Sequence, residues 1–310
     1  MTLLIAGGSG FLGTALAKAF RAAGHRVLIL TRRPRREGDV LWSAKPTDTT
    51  WRHALERSDA VINLAGASIA GRRWTEERKR EIRASRMDPT QALVSAIAVA
   101  SRSPAVFLSA SAIGFYGVRG DDVITEESPA GDDFLASVCR DWETLALGAA
   151  SRSRIVLLRT GLVLAREGGA LPQLALPFRL FAGGRIGTGR QFMSWISLTD
   201  WIGLVRWVLT RNHVSGPLNL TAPAPVTNAE FARVLGRVLG RPSFVPTPAF
   251  AMRLALGELA DALILGGQRV LPSRAQALGY EFTHETLEPA LRDIYQESGI
   301  RNRESGLGKA

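Results

Sequence analysis

Short apolar runs alternate with amphipathic stretches through the first half of the chain, the rhythm of a parallel sheet covered by helices. Leu3–Ala6 reads as a buried strand, and Phe11–Ala23 as a helix with apolar residues at helical spacing. Gly24 ends that helix, and His25–Leu30 follows as a second strand. Val40–Trp42 is a short third strand, and Ala60–Leu64, introduced by Asp59, is a fourth. A long helix is expected over Thr75–Ser101, then the strand Ala105–Leu108, a helix over Asp132–Ala150 and a sixth strand at Ile155–Leu158. Beyond Arg159 the rhythm loosens: Gly168, Gly169, Gly183, Gly184, Gly187 and Gly189 punctuate the chain, and Pro217–Pro225 is rich in turns. Helical patterns return at Asn228–Leu239, Pro248–Leu265 and Glu285–Glu297. The fold class is therefore α/β, a doubly wound parallel sheet over residues 1–165, with a second, smaller, mainly C-terminal lobe over 166–300. The two are expected to interleave, and 301–310 reads as a flexible tail.

The opening segment carries the first chemistry. Gly7, Gly8, Ser9, Gly10, Phe11, Leu12 and Gly13 join the first strand to the first helix, with glycines at 7, 10 and 13. Missing side chains let a backbone turn sharply, approach a diphosphate and pack helix against sheet, while the helix N-terminus offers unpaired N–H groups. A strand, a glycine turn and a helix in that order point to a Rossmann dinucleotide site. At the end of the second strand an NAD site usually carries a carboxylate for the ribose hydroxyls. This chain has Thr31-Arg32-Arg33 there, and guanidinium groups suit a 2′-phosphate. The expected cofactor is NADP(H), with Arg32 as main contact and Arg33 as helper.

Composition sets limits on the rest. The net charge of +11 comes almost wholly from arginine, since lysine occurs only at 18, 45, 79 and 309. The arginines are scattered and no basic–aromatic motif accompanies them, so nucleic acid is not an expected partner. Cys139 is the only cysteine and excludes an intrachain disulfide. The four histidines show no metal-ligand spacing, so no metal site is expected. Pro248–Gly267 is interrupted by Arg253, Glu258 and Asp261, so no membrane span and no membrane partner is expected. With no leader pattern at the start, the expected location is the cytoplasm.

On these residues the chain resembles the extended short-chain dehydrogenase/reductase superfamily, and within it the epimerase-like branch of NAD(P)-dependent epimerase/dehydratase proteins with a small C-terminal domain. Asn63, Leu64, Ala65 and Gly66 resemble the fourth-strand motif that lines the adenosine and ribose side of the cofactor. Ser109-Ala110-Ser111, followed by Tyr116-Gly117, resembles the fifth-strand segment that ends near the nicotinamide. Gly187-Thr188-Gly189-Arg190-Gln191, Ser194-Trp195-Ile196, Asn219, Pro223–Asn228 and Gly240-Arg241-Pro242 resemble further segments of the branch. By the same resemblance Glu81, Arg86 and Leu162 fall where the cofactor is touched.

The superfamily's Tyr-x-x-x-Lys proton relay is missing. Four residues after Tyr116, Tyr280 and Tyr295 stand Gly120, His284 and Gly299. Matching Glu143 to the acidic residue that often follows the relay's lysine puts Leu135 at the tyrosine position and Cys139 at the lysine position. Two functional readings follow. In the first, the protein is an NADP(H)-dependent oxidoreductase or epimerase-like enzyme of unknown substrate, with Ser111 as hydrogen-bond donor and Tyr116 as acid. In the second it is a non-catalytic NADP(H)-binding sensor or regulator. Arg159, Arg185, Arg190, Gln191, Trp195 and Asp200 are candidates for a substrate cleft and would favour an anionic small molecule. Trp195 and Asp200 also read as a core aromatic and a helix start. A homodimer is compatible with the sequence, but no feature fixes one.

Overall fold

Leu3, Leu4 and Ile5 are shut from solvent, which explains why the first strand is a continuous apolar run rather than an alternating one. In the computed structural model, which describes residues 1–44 and 48–304 (297–304 as backbone only), it belongs to a seven-stranded sheet. The strands are β1 (Thr2–Ala6), β2 (Arg26–Thr31), β3 (Asp39–Leu41), β4 (Ala60–Asn63), β5 (Val106–Ala112), β7 (Arg154–Thr160) and β11 (Gly216–Leu220). Their order is β11-β7-β5-β4-β1-β2-β3, and the pairs from β7 to β3 are parallel. The expected doubly wound α/β fold is present.

The chain divides into two compact units, each built from three separate stretches. Unit 1 comprises 1–117, 128–160 and 202–219 and contains the sheet. Its connections include α1 (Phe11–Ala22), α2 (Arg52–Glu56), α3 (Glu76–Val99) and α4 (Phe134–Leu147). Its core gathers Leu4, Leu30, Leu55, Val61, Leu93, Ile97, Phe107, Ile155 and Leu157, with Trp42 and Trp51 meeting edge to face. Thr75 and Asp133 cap α3 and α4 by accepting the N–H groups of Arg78 and Ala136.

Unit 2 comprises 118–127, 161–201 and 220–310. Its strands come in pairs: β6 (Val123–Ile124) with β13 (Arg269–Val270), β8 (Leu162–Leu164) with β10 (Trp195–Ser197), and β9 (Phe192–Met193) with β12 (Val226–Thr227). Helix α5 (Leu171–Arg179) and α7 (Asn228–Leu239) share a core with α11 (Leu287–Glu304), made by Leu171, Phe178, Trp195, Phe231, Leu235, Leu287 and Leu291. Helix α6 (Leu198–Thr210) begins in unit 2 and ends in unit 1. Pro248–Leu265 is not the single helix that its pattern suggests. It breaks into α8 (Ala249–Leu256), α9 (Glu258–Ala260) and a turn of π-helix at Asp261–Leu265, because Gly257 takes a positive φ of 61°. The short α10 (Ser273–Ala277) precedes the last helix. Of the tail expected over 301–310, residues 301–304 continue α11 and 305–310 lie outside the described residues. Among the described residues no helix is long and apolar enough to cross a membrane.

Candidate functional site

The turn between β1 and α1 has almost no room for side chains. Gly7 has φ +77°, and a Cβ there would lie 2.6 Å from the Leu64 carbonyl. A Cβ on Gly8 would meet Ile29 at 2.5 Å, and one on Gly13 would meet the Gly7 carbonyl oxygen at 2.3 Å. Gly10 is different: its only close neighbour would be the Gly7 oxygen at 3.3 Å. Gly10 donates its N–H to that oxygen at 3.0 Å and caps α1 with an extended backbone and no side chain. No acidic residue sits in the first turn of α1, so its opening amides remain available to an external anion.

At the end of β2, the Arg33 N–H donates to the Thr31 hydroxyl at 3.2 Å. The Arg35 and Arg36 N–H groups donate to Asp39 at 2.8 and 3.0 Å, which fixes the loop while Arg32 and Arg33 stay exposed. Asn63 closes β4 with both ends of its amide engaged: it donates to Thr90 at 2.8 Å and accepts from the Ala65 N–H at 3.2 Å. That bend lays Leu64 and Ala65 against Gly7. Gly66 packs on Arg86, whose guanidinium donates to the carbonyls of Ile82 and Ala67 and lies over the Trp142 ring. Burial lowers the Arg86 pKa. Beyond Gly66 a cavity of about 390 Å³ is lined by Ala67, Ser68, Ala70, Gly71, Arg72, Arg78 and Glu81. Arg78 ties Glu81 to the Ser68 carbonyl at its edge.

The C-terminal ends of β5 and β7 carry a buried network instead of a tyrosine–lysine relay. Ser111 lies opposite Arg159 in the ladder and donates to Glu143 at 2.6 Å. Glu143 accepts a bidentate pair from Arg159, both bonds 2.8 Å long. Arg159 also donates to the Tyr116 hydroxyl at 3.0 Å and stacks 3.5 Å from the Phe115 ring centre. Tyr116 donates in turn to Asn219 at 2.7 Å. Burial opposes the Arg159 charge, but the hydrogen bonds and charge of Glu143, with the Tyr116 hydroxyl beside them, outweigh it and raise its pKa. Ser109 is buried beside this network and donates to the Ala110 carbonyl at 3.4 Å.

These bonds alter several expectations. Tyr116 is 0% exposed and has its proton committed to Asn219, which argues against its role as an acid. Ser111 gives its proton to a carboxylate rather than to an open crevice. Arg159, expected in an anion-binding cleft, is instead buried and paired with Glu143. Trp195 and Asp200 are both buried and take their structural readings. Leu162 is half-buried in the β8–β10 ladder of unit 2. Leu135 and Cys139, at the relay positions, are buried on α4, and burial followed by the Glu143 charge pushes the Cys139 thiol up to about 11. That thiol stays protonated at neutral pH and is a poor proton acceptor. Glu143 and Asn219 are the members that reasoning from sequence did not assign to the site; strand register and helix packing, not spacing, bring them in.

Comparison with known proteins adds a second line. Residues 3–220 match the NAD dependent epimerase/dehydratase family, and 247–294 match a domain of unknown function, DUF1731. The chain belongs to the NAD dependent epimerase/dehydratase family. It is 44% identical over 289 residues to an epimerase family protein of Mycobacterium leprae, covering 93% of each chain. The human epimerase family protein SDR39U1 is 39% identical over 297 residues, covering 95% of this chain and 99% of the human one. A crystal structure of human SDR39U1 (isoform 2) with NADPH superposes with a TM-score of 0.87 at 37% identity, covering 96% and 99% of the two chains. A nucleoside-diphosphate sugar epimerase of Corynebacterium glutamicum follows at 0.76 and 32%, covering 97% of this chain and 61% of that one. The epimerase-family match thus spans the glycine turn, the arginines after β2 and the Arg159 network.

Proposed function

We propose that this epimerase-family chain binds NADP(H) and is an NADP(H)-dependent oxidoreductase or epimerase-like enzyme whose proton donor is not a Tyr-x-x-x-Lys pair. One observation carries the cofactor reading. Three glycines in the turn Gly7–Gly13 have no space for a Cβ, and they lead into a helix end with neither a capping side chain nor an acid. Such a cradle fits a diphosphate. The amides of Phe11, Leu12 and Gly13 would face it, with Ser9 at its rim. Thr31, Arg32 and Arg33 would hold the adenosine phosphate, and the backbone of Leu64–Gly66 would border the ribose. Glu81, Arg86, Ser109 and Leu162 are the further proposed contacts. The NADPH named with the human relative supports the phosphorylated form. When bound, the nicotinamide supplies hydride exchange.

Ser111 is our proposed polar neighbour of the reacting group, held by Glu143, and Tyr116 fixes Arg159 from its far side. The proton would then come from substrate or solvent. Unfolding followed with NADPH and NADH tests the first step, since ligand stabilisation tracks affinity. NADPH should raise the transition temperature more than NADH, and Arg32→Ala should erase the difference; equal shifts would refute the phosphate assignment. NADPH consumption is then followed with aldehydes, ketones, quinones and nucleotide sugars. The protonated thiol and aliphatic side chain at the relay positions favour a second reading, a non-catalytic NADP(H) sensor. Tight NADPH binding with no turnover across that panel would select it.

A further inference from the structure

Unit 2 carries an apolar face that its own core does not use. Helix α8 (AFAMRLAL) buries none of its residues, although only one of the eight is polar. The neighbouring segments show the same habit. Leu180 is 69% exposed, Phe181 60%, Phe244 79%, Phe250 71% and Leu254 75%. These residues belong to adjoining backbone. The Val245 N–H donates to the Gly183 carbonyl at 3.0 Å, the Thr247 N–H to the Arg185 carbonyl at 2.9 Å, and α8 starts two residues later. Arg241 lies 4.7 Å over the Phe181 ring.

Phe181 is also the sole non-glycine among the described residues with positive φ, at 60°. A bulky side chain in that region is strained, and such strain is held where the presented side chain has a use. Three aromatic rings of roughly 150–250 Å² each, mostly exposed, with two leucines reach the ~300–600 Å² of the largest apolar patch on an ordinary monomer.

Charge identifies the occupant. The stretches that carry these side chains, 168–199 and 231–257, contain no Asp or Glu between the flanking Glu167, Asp200, Glu230 and Glu258, yet they hold Arg179, Arg185, Arg190, Arg233, Arg237, Arg241 and Arg253. Arg233, Arg237 and Arg253 reach acids outside these stretches, namely Glu230, Glu288 and Asp261. A second copy would set arginine against arginine. A peptide groove would enclose its lining, whereas side chains exposed by 60–79% protrude. Protruding Phe and Leu beside arginines that outnumber the acids they reach is the chemistry of an interfacial anchor on anionic lipid. We propose that this face of unit 2 docks onto the surface of an anionic lipid bilayer. The expectation of no membrane partner rested on the lack of a spanning run, and lying on a surface is a different arrangement.

The test is sedimentation of the full chain with vesicles of equal parts phosphatidylserine and phosphatidylcholine, against phosphatidylcholine alone. Binding to the mixed vesicles is expected, weakening as salt rises. The double variant Phe181→Asn/Phe250→Ser should cut the bound fraction about tenfold, and Arg241→Glu should weaken it also. Asn tolerates the left-handed backbone, and both side chains are exposed, so the double variant should unfold like the parent protein. An unchanged transition temperature is the control. No binding to the mixed vesicles, or binding that the double variant leaves intact, would overturn the proposal. A dimer in sedimentation velocity that the double variant splits, with no vesicle binding, would hand the face to a second copy and overturn it equally.

Discussion

Gly10 and Gly13 stand three residues apart in one turn, yet their surroundings differ sharply. A Cβ on Gly13 would sit 2.3 Å from the Gly7 carbonyl oxygen, a fixed backbone atom, whereas one on Gly10 would only brush that oxygen at 3.3 Å. Gly13→Ala should therefore push α1 off β1, destabilise the fold by about 1–3 kcal/mol and remove NADPH stabilisation. Gly10→Ala, at a helix cap with negative φ, should change stability by less than about 1 kcal/mol. Urea unfolding with and without NADPH measures both, and equal losses would show that the turn is not packed as described. The Arg159–Glu143 pair offers a second contrast. Both side chains are almost fully buried, so Arg159→Met alone leaves a lone carboxylate and should cost about 3–5 kcal/mol. Glu143→Leu with Arg159→Met should recover most of that loss, a coupling that a double-mutant cycle reads directly. At this scale the glycine turn was readable from sequence because its packing is local. The Arg159 network was not, because Ser111, Glu143 and Arg159 meet only through the β5–β7 register and the seating of α4 on it.

Elements follow the same division. Strands β1, β4, β5 and β7 are four to seven residues long, buried and apolar, so their pattern stands out from the helices between them. The strands of unit 2 are two or three residues long, too short for any period to emerge. What holds that region instead is side-chain anchoring. Asp200, buried in the first turn of α6, accepts from the Thr283 N–H at 2.8 Å, the His284 N–H at 2.9 Å and the Ser197 hydroxyl at 2.9 Å. His284 reaches on to Asp293 of α11 at 3.3 Å. Asp200→Ala should free the loop before α11 and cost about 1.5–3 kcal/mol for each charged hydrogen bond lost, less whatever water restores. Faster amide exchange at Thr283 and His284, with β1 and β4 unchanged, is the expected signature. Loss of protection spread evenly over both units would count against the anchor.

The order in which the chain visits its two units carries a consequence for any attempt to cut it. Unit 1 takes its last strand, β11, from residues that follow β8, α5, β9 and β10, all of which belong to unit 2. The family match ends at 220, and a fragment 1–220 would keep the whole seven-stranded sheet. Yet it would strand Leu164, Leu171, Phe178 and Trp195, which are buried against Phe231, Leu235, Leu287 and Leu291 from the missing part. Those four side chains are 4% exposed or less in the full chain. Freeing each costs about 1.5–3 kcal/mol of burial, comparable in sum with the whole stability of a domain. The fragment should therefore aggregate or bind a hydrophobic dye, and should bind NADPH more weakly than the full chain despite carrying every proposed cofactor contact. A soluble, dye-free fragment with full NADPH affinity would mean that unit 1 folds without the C-terminal core, and that DUF1731 is an appendage rather than half of a shared structure.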